Sequence, residues 1–182
     1  MSEEMIVRHC SPTLAGLKTA NMFTADFSGK TQLQCELCRL NRVLVKKGIR
    51  AIPLRVNGGK ALIYIYRPDR LKADLQDPSA IQVLRECGYS CKNPGQCIAR
   101  LMERLRSSQD FPHEIGLFLG YPPEDVSGFI NKRPCTLTGF WKVYGDAGSA
   151  EKRFARFRKC MNVYYNCWQE GFTLERLAVA AV

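Results

Sequence analysis

The sequence predicts a helix-rich α+β domain with a small antiparallel sheet, and two patterns carry that prediction. Residues 49–66 place β-branched and aromatic side chains on both sides of Asn57-Gly58, a dipeptide typical of a tight hairpin turn. Elsewhere, apolar residues recur at three- and four-residue spacing, which is the period of an amphipathic helix. With 182 residues, 46% of them hydrophobic, we expect one domain over residues 1–182.

The other elements follow from the same patterns. Two more strands are expected near residues 5–9 (MIVRH) and 138–144 (TGFWKVY), both short runs with β-forming side chains. The helix with the clearest apolar stripe is expected to end at Gly48, because glycine is common just after a helix. The predicted helices cover residues 12–22, 31–47, 68–75, 78–86, 94–107, 112–119, 123–131, 146–171 and 173–180.

Charge and cysteine content restrict the function. The chain has 27 Lys and Arg against 17 Asp and Glu, a net charge of +10, which indicates an anionic partner. No apolar run approaches the roughly 20 residues of a membrane helix, and the acidic start MSEEMIVRHC lacks the apolar run of a signal peptide. We therefore expect a cytoplasmic protein without a membrane partner, whose nine cysteines are mostly reduced.

Cysteines supply candidate reactive and metal-binding groups. Cys10 is expected between a strand and the first turn of a helix, where the helix dipole favours a thiolate, although a buried loop cysteine fits as well. Lys18 would lie along that helix and contact an anion. Cys87, Cys91 and Cys97 lie in ECGYSCKNPGQC, which could fold around zinc or an iron–sulfur cluster, or could simply turn between two helices.

Two further cysteine pairs have helical spacing. Cys35 and Cys38 are spaced like a zinc or redox pair, but they fall in the middle of a predicted helix, where such pairs are uncommon. Cys160 and Cys167 share a helix face, and we expect them to be buried as small hydrophobic side chains.

The segment 111–130, FPHEIGLFLGYPPEDVSGFI, contains one of the two histidines. His113 and Glu114 are candidates for acid–base catalysis with Cys10 as a distant nucleophile. The zinc-protease motif H-E-x-x-H is excluded because residue 117 is leucine.

Two other interpretations of this segment remain. Gly116 and Gly120 are spaced as in a helix-turn-helix DNA-binding unit, a reading that the net positive charge supports. However, Glu124 and Asp125 at the start of the second helix would repel phosphate groups. A packed corner between two helices explains the glycines, prolines and acids without any ligand.

The predicted helix 146–171 carries basic and aromatic side chains together. Such a combination binds single-stranded nucleic acid by charge and stacking. The aromatic residues also recur at helical spacing, so a buried stripe with a basic wet face is the alternative.

Four blocks, HCSPTLAGLKTANMF, HEIGLFLGYPPEDVSGFI, CTLTGFWKVYGD and LERLAVA, resemble a bacterial family of domains of unknown function, number thirty-seven ninety-three in that series. The resemblance covers nearly the whole chain and implies a family typical of anaerobic bacteria. It supplies no catalytic residues, because the family has no established activity. It implies that candidate site residues belong to recurring blocks, and from these we take as candidate ligand-binding residues His9, Lys18, Tyr121, Trp141, Lys142 and Tyr144.

Three functions remain open from the sequence. The first is binding of a small anionic ligand or cofactor, with Cys10 as a possible reactive group. The second is a nucleic-acid-binding module built on the helix pair and the basic C-terminal helix. The third is a redox accessory protein with a metal or iron–sulfur site at the 87–97 segment. The sequence points to no particular cofactor, reaction or oligomeric state.

Overall fold

The computed structural model describes residues 2–90, 92–107 and 110–180. The chain divides into two units: unit one contains the residues up to Asp69 and those from Lys159 on, and unit two contains Arg70–Arg158. Helices predominate and both sheets are small and antiparallel, so the predicted α+β class is confirmed.

The sheet of unit one has three strands, β1 (Ala20–Asp26), β2 (Arg50–Asn57) and β3 (Lys60–Tyr66). All pair antiparallel in the order β1-β3-β2. β2 and β3 form the predicted hairpin, and its turn residues Gly58 and Gly59 both have positive φ, as a two-residue hairpin turn of this type requires. The strongest turn signal in the sequence therefore identified two of the three strands of this sheet.

The strand β1 was not predicted, because its first three residues fall in the predicted helix 12–22, which is wrong there, and no element was predicted for its remaining residues. Its signal is an alternation of side chains: Phe23 and Ala25 are buried, whereas Thr24 and Asp26 are exposed. Only four residues alternate in this way, which is too short a pattern to identify a strand that its partner β3 stabilises along the whole length.

The strand predicted at residues 5–9 is wrong, because these residues belong to the helix α1 (Glu3–Leu14). The Ser2 side chain caps the helix by accepting a hydrogen bond from the Met5 amide at 3.2 Å, and two glutamates follow in the first turn. This start signal and the helical spacing of the apolar residues outweigh the local β propensity. The buried apolar face of α1 consists of Ile6, Val7, Cys10 and Leu14.

The core of unit one lies between the sheet and three helices, α1, α2 (Lys30–Leu44) and α9 (Leu174–Leu177). A 3₁₀ turn at Val45–Lys47 extends α2, and Gly48 follows with a φ of +69°, as predicted for a helix C-terminus. The core includes Phe23, Ala25, Leu33, Leu37, Leu40, Leu44, Ile63, Ile65, Leu174 and Leu177.

The remaining chain is largely helical. Its helices are α3 (Pro68–Gln76), α4 (Pro78–Glu86), α5 (Pro94–Ser107), α6 (Ile115–Phe118), α7 (Pro123–Ile130) and α8 (Ala147–Gln169). The bounds of α4 and α5 match the prediction, whereas α6 and α9 are shorter than predicted. None of the helices in the described part of the chain is long and apolar enough to cross a membrane.

The strand predicted at residues 138–144 is divided into two. β4 (Leu137–Thr138) and β5 (Lys142–Val143) pair antiparallel, and the Gly139 amide donates a hydrogen bond to the Trp141 carbonyl at 3.0 Å across the turn. A Cβ atom at Gly139 would lie 2.3 Å from the Phe154 ring. Glycine is therefore required where this turn packs against α8.

Candidate functional site

Cys10, the candidate nucleophile, lies in the third turn of α1 and not before the start of a helix. Its side chain is 0% exposed, and this burial raises the pKa of the thiol. The nearby positive charge of Lys18 acts in the opposite direction but is outweighed. The predicted position of Cys10 at a helix N-terminus is therefore wrong. Burial also disfavours the thiolate, which is the form that acts as a nucleophile.

Two cations of unit one are committed to backbone carbonyl groups. Lys18, the expected anion contact, is buried, and its ammonium group donates a hydrogen bond to the Ala20 carbonyl oxygen. The buried guanidinium of Arg67 donates to the carbonyl oxygens of Thr13 (2.8 Å), Leu14 (2.8 Å) and Val179 (2.7 Å). Because the last carbonyls of a helix lack partners within it, a cation at the end of α1 stabilises the fold.

His9 lies on the exposed side of α1, with its ring stacked on Phe23 at a centroid distance of 5.4 Å. It belongs to unit one, whereas His113 belongs to unit two. A joint role of Cys10 and His113 therefore stays a prediction.

Glu114, the candidate acid–base residue, is part of a buried network in unit two. Its Oε1 atom lies 2.6 Å from Arg104 Nε, an ion pair without the alignment of a hydrogen bond, and accepts a hydrogen bond from the Tyr89 hydroxyl at 2.9 Å. Arg104 also donates to the Cys87 carbonyl at 3.2 Å. Burial and the Glu114 charge raise the pKa of the Tyr89 hydroxyl. This carboxylate therefore holds elements together, as buried paired charges commonly do.

His113 itself is at the surface. Its ring meets the exposed ring of Phe129 edge-on at 4.8 Å, and the Lys142 ammonium lies 5.5 Å from the centre of the same ring. These contacts place His113 and Lys142 in an aromatic cluster at the surface of unit two, and their roles as candidate site residues stay predictions.

Asp125 joins α7 to the β4–β5 hairpin. It is 3% exposed and accepts hydrogen bonds from Trp141 Nε1 (2.7 Å), the Tyr144 amide (2.6 Å) and the Gly145 amide (2.9 Å). The Tyr121 ring stacks on Trp141 at 4.8 Å. Of the candidate ligand-binding residues, Tyr121, Trp141 and Tyr144 thus take part in packing within unit two.

The close approach of α6 to α7 requires glycine at position 116, within α6. A Cβ atom at Gly116 would lie 2.8 Å from Val126 Cγ2, so these helices cross at this distance only without a side chain. This contact, together with the inward-facing Asp125, supports the packed corner among the three interpretations of residues 111–130. The use of α7 to contact DNA stays a prediction.

The three thiols expected to bind a metal are only partly described. Cys87 is half-buried, Cys97 is buried, and Cys91 lies outside the described residues. Within the described ranges, no group of three or more His, Cys, Asp or Glu side chains is placed to hold a metal ion. A three-thiol site therefore stays a prediction.

A cavity of about 460 Å³ opens between α3, α4 and the start of α5, and we call it the basic cavity. Its exposed rim carries Lys72, Arg85 and Lys92, and among the described residues that line it none is acidic. None of the ion pairs between described residues involves these three cations. Its buried lining consists of Leu75, Leu84, Tyr89 and Cys97.

The start of α5 adds to the positive potential of the basic cavity. Asn93 and Pro94 line the opening, and the Asn93 Oδ1 atom accepts a hydrogen bond from the Gln96 amide at 3.0 Å, which caps the helix. The N-terminal end of a helix carries a partial positive charge. Charge on side chains and on the backbone therefore has the same sign at this opening.

The opposite face of α4 lines a second cavity, of about 400 Å³, with a different charge. Its charged residues are the acidic Asp77, Glu86 and Glu124 together with Arg133. The two faces of one short helix thus separate a positive from a predominantly negative cavity, and an anion is favoured on one side only.

Sequence reasoning identified only Cys97 from the basic cavity, and it did so as a metal ligand. The three cations come from a helix, another helix and a loop, so no spacing rule connects them. The signal that could have found them is the concentration of basic residues in the segment from 70 to 106, whose short helices must pack side by side.

No curated protein and no solved structure is significantly similar to the chain. One family model, described as "Protein of unknown function (DUF3793)", matches residues 6–178 of 182. The match includes three of the four sequence blocks in full and residues 174–178 of the fourth, LERLAVA. The chain therefore belongs to the DUF3793 family of proteins of unknown function.

Proposed function

We propose that the protein binds a small organic anion in the basic cavity. The observation that carries the proposal is the sign of the charge: Lys72, Arg85 and Lys92 surround an opening that no described acidic residue lines. Unpaired cations on neighbouring elements repel one another, and a bound anion relieves that repulsion. The volume of about 460 Å³ is within the range of small-molecule sites in proteins.

The lining of the basic cavity narrows the class of ligand. Its buried lining is mainly apolar and includes Leu75, Leu84 and the Tyr89 ring, whereas its exposed rim carries three cations. A ligand with an apolar body and a carboxylate, phosphate or sulfonate at one end satisfies both regions. Arg85 can bind such a group through two parallel hydrogen bonds, and a lysine contributes a point charge.

A reactive thiol in this proposal would be Cys97, not Cys10. Cys97 lines the basic cavity, whereas Cys10 is enclosed in the core of unit one. We assign binding to the basic cavity and no reaction, because binding is the property that its charges and lining support.

The fluorescent anion 1-anilinonaphthalene-8-sulfonate, which has an apolar body and one sulfonate, is a suitable probe. We expect saturable binding to the native protein. A variant with Lys72→Gln, Arg85→Gln and Lys92→Gln should bind about tenfold more weakly or worse, because the single sulfonate loses one or two charge-assisted contacts of about 1 kcal/mol each.

The matched control is a variant with Lys30→Gln, Arg42→Gln and Lys46→Gln, which makes the same change in net charge at exposed positions of unit one. Its affinity for the probe should change less than about twofold. Equal losses in the two variants, or no saturable binding to the native protein, would overturn the proposal.

A labelled single-stranded oligonucleotide distinguishes the nucleic-acid alternative. If it binds at physiological salt and the cavity variant binds it as well as the native protein does, the relevant anion is nucleic acid and the contact lies elsewhere. We expect no such binding.

A further inference from the structure

The eight described cysteines differ in exposure: three are buried, Cys87 and Cys167 are half-buried, and Cys35, Cys38 and Cys135 are exposed. Cys10, Cys97 and Cys160 are buried, as is usual for free cysteine, which packs as a small hydrophobic side chain. Cys35 and Cys38 are both exposed, and they lie three residues apart on α2. Packing therefore explains the three buried cysteines, but it gives no reason for two exposed thiols that are neighbours on the surface of one helix.

The helix fixes the separation of this pair. Residues at i and i+3 of a helix are surface neighbours with Cβ atoms about 5–6 Å apart. A disulfide needs about 3.5–4.5 Å between Cβ atoms. Since Leu33, Leu37 and Leu40 anchor the other face of α2 in the core, closing this gap would distort a packed helix. An atom placed between the two sulfurs can contact both without such distortion.

The number of ligands selects the kind of ion. Structural zinc sites use four protein ligands, and within the described ranges no group of three or more metal-binding side chains exists. Thiolates are soft ligands, and Cu(I) is a soft ion that two of them can satisfy. We propose that Cys35 and Cys38 form a two-thiolate site for a soft monovalent metal ion of the Cu(I) class.

The charges on the same helix suit such a complex. When the ion binds, both thiols release their protons to solvent, so one positive ion is held by two negative sulfurs and the complex is anionic. Exposed Arg39 and Arg42 each follow one of these cysteines by four residues, which places a cation one helical turn from each thiol. The site is independent of the basic cavity, which belongs to unit two.

The test is anaerobic titration with Cu(I) in competition with the coloured chelator bicinchoninate. The reduced native protein should withdraw one more equivalent of Cu(I) per chain than the Cys35→Ser variant does, and the Cys38→Ser variant should lose the same equivalent. Cys135→Ser is the matched control, because Cys135 is also exposed but has no cysteine three or four residues away. We expect it to bind as the native protein does.

X-ray absorption on the loaded protein provides a second measurement, with two sulfur neighbours and no nitrogen or oxygen neighbour expected at the metal. Retention of the full equivalent by either serine variant of the pair would overturn the proposal. So would one Cu(I) per two chains, or a coordination number above two. Because both serines would replace exposed side chains, the variants are expected to fold, and circular dichroism verifies this.

Discussion

Arg67 and Lys72 lie five residues apart in the sequence and use the same charge in opposite ways. Arg67 is buried and donates hydrogen bonds to carbonyl oxygens of α1 and of the C-terminal segment. Lys72 is exposed on the rim of the basic cavity, where the other lining charges have the same sign. One cation completes the fold of unit one, and the other stays exposed at the cavity that we propose as a ligand site.

This comparison shows why net charge is a poor guide to a binding site. The value of +10 counts Lys18 and Arg67 equally with Lys72 and Arg85, although the first two are enclosed by backbone groups. What distinguishes the two kinds of cation is burial and the presence of fixed acceptors, and neither can be counted from composition.

The largest effect should follow from Arg67→Met. The substitution leaves the carbonyl groups of Thr13, Leu14 and Val179 without this donor in a buried region, so we expect a loss of about 3–5 kcal/mol in the free energy of unfolding. Urea denaturation measures it. The matched control is Arg70→Met, three residues later at an exposed position, which should cost less than about 0.5 kcal/mol. Similar losses for both would remove the distinction between buried and exposed cations.

A somewhat smaller effect is expected for Glu114→Gln in unit two. The amide can still accept from the Tyr89 hydroxyl, but it leaves the Arg104 guanidinium without its counter-charge, at a cost of about 2–3 kcal/mol. The urea midpoint of the variant would report this loss. An unchanged midpoint would mean that the ion pair contributes nothing and that Glu114 is free for another role.

The contrast between buried and exposed groups also applies to the thiols, and it predicts how the free energy of unfolding depends on pH. Burial raises the pKa of Cys10, so above the ordinary thiol pKa of 9.0 the unfolded chain releases a proton that the folded chain retains. Stability contributed by this group is therefore complete below pH 9 and falls as pH rises, by about 1.4 kcal/mol per pH unit. Urea denaturation from pH 8 to pH 10, with a reductant present, should show a shallower slope for Cys10→Ala.

Some slope should remain in that variant, because burial also raises the pKa of Cys160 to about 11. Parallel slopes for the native protein and the Cys10→Ala variant would contradict the burial of Cys10.

The smallest effect on stability is expected for the three-residue cavity variant. Replacing Lys72, Arg85 and Lys92 by glutamine removes no described ion pair and relieves repulsion between like charges, so the free energy of unfolding should stay within about 0.5 kcal/mol of the native value. Thermal denaturation of both proteins without ligand provides the comparison. A large loss would show that these cations, like Arg67, belong to the fold.

The sequence predicted elements whose signals are local. The Asn57-Gly58 signal located the hairpin, although the two turn residues are Gly58 and Gly59. The helices beginning at Pro78 and Pro94 were placed correctly, because a helix start depends on a few adjacent residues. The error at residues 5–9 arose where two local signals conflict, and the helix cap at Ser2 was the stronger one. β1 was missed because most of its stability comes from β3, which lies more than thirty residues away.

The candidate site was harder to predict for the same reason. Cys10 and Glu114 carry reactive groups, and their sequence neighbours suggested chemistry, but burial and fixed partners determine what such groups do. Cys97 was identified without its surroundings, since the cations near it come from separate elements. Tertiary packing creates the basic cavity, and no short pattern in the sequence encodes it.

The described lining of the basic cavity comes entirely from residues 72–97. Contacts between segments so close in the chain close with little loss of chain entropy and form early in folding. We therefore expect α3, α4 and the start of α5 to unfold and refold locally as one cooperative unit. Hydrogen exchange would show this as similar protection of their backbone amides. A ligand that slows exchange over this one stretch, and nowhere else, would identify its binding site without any substitution.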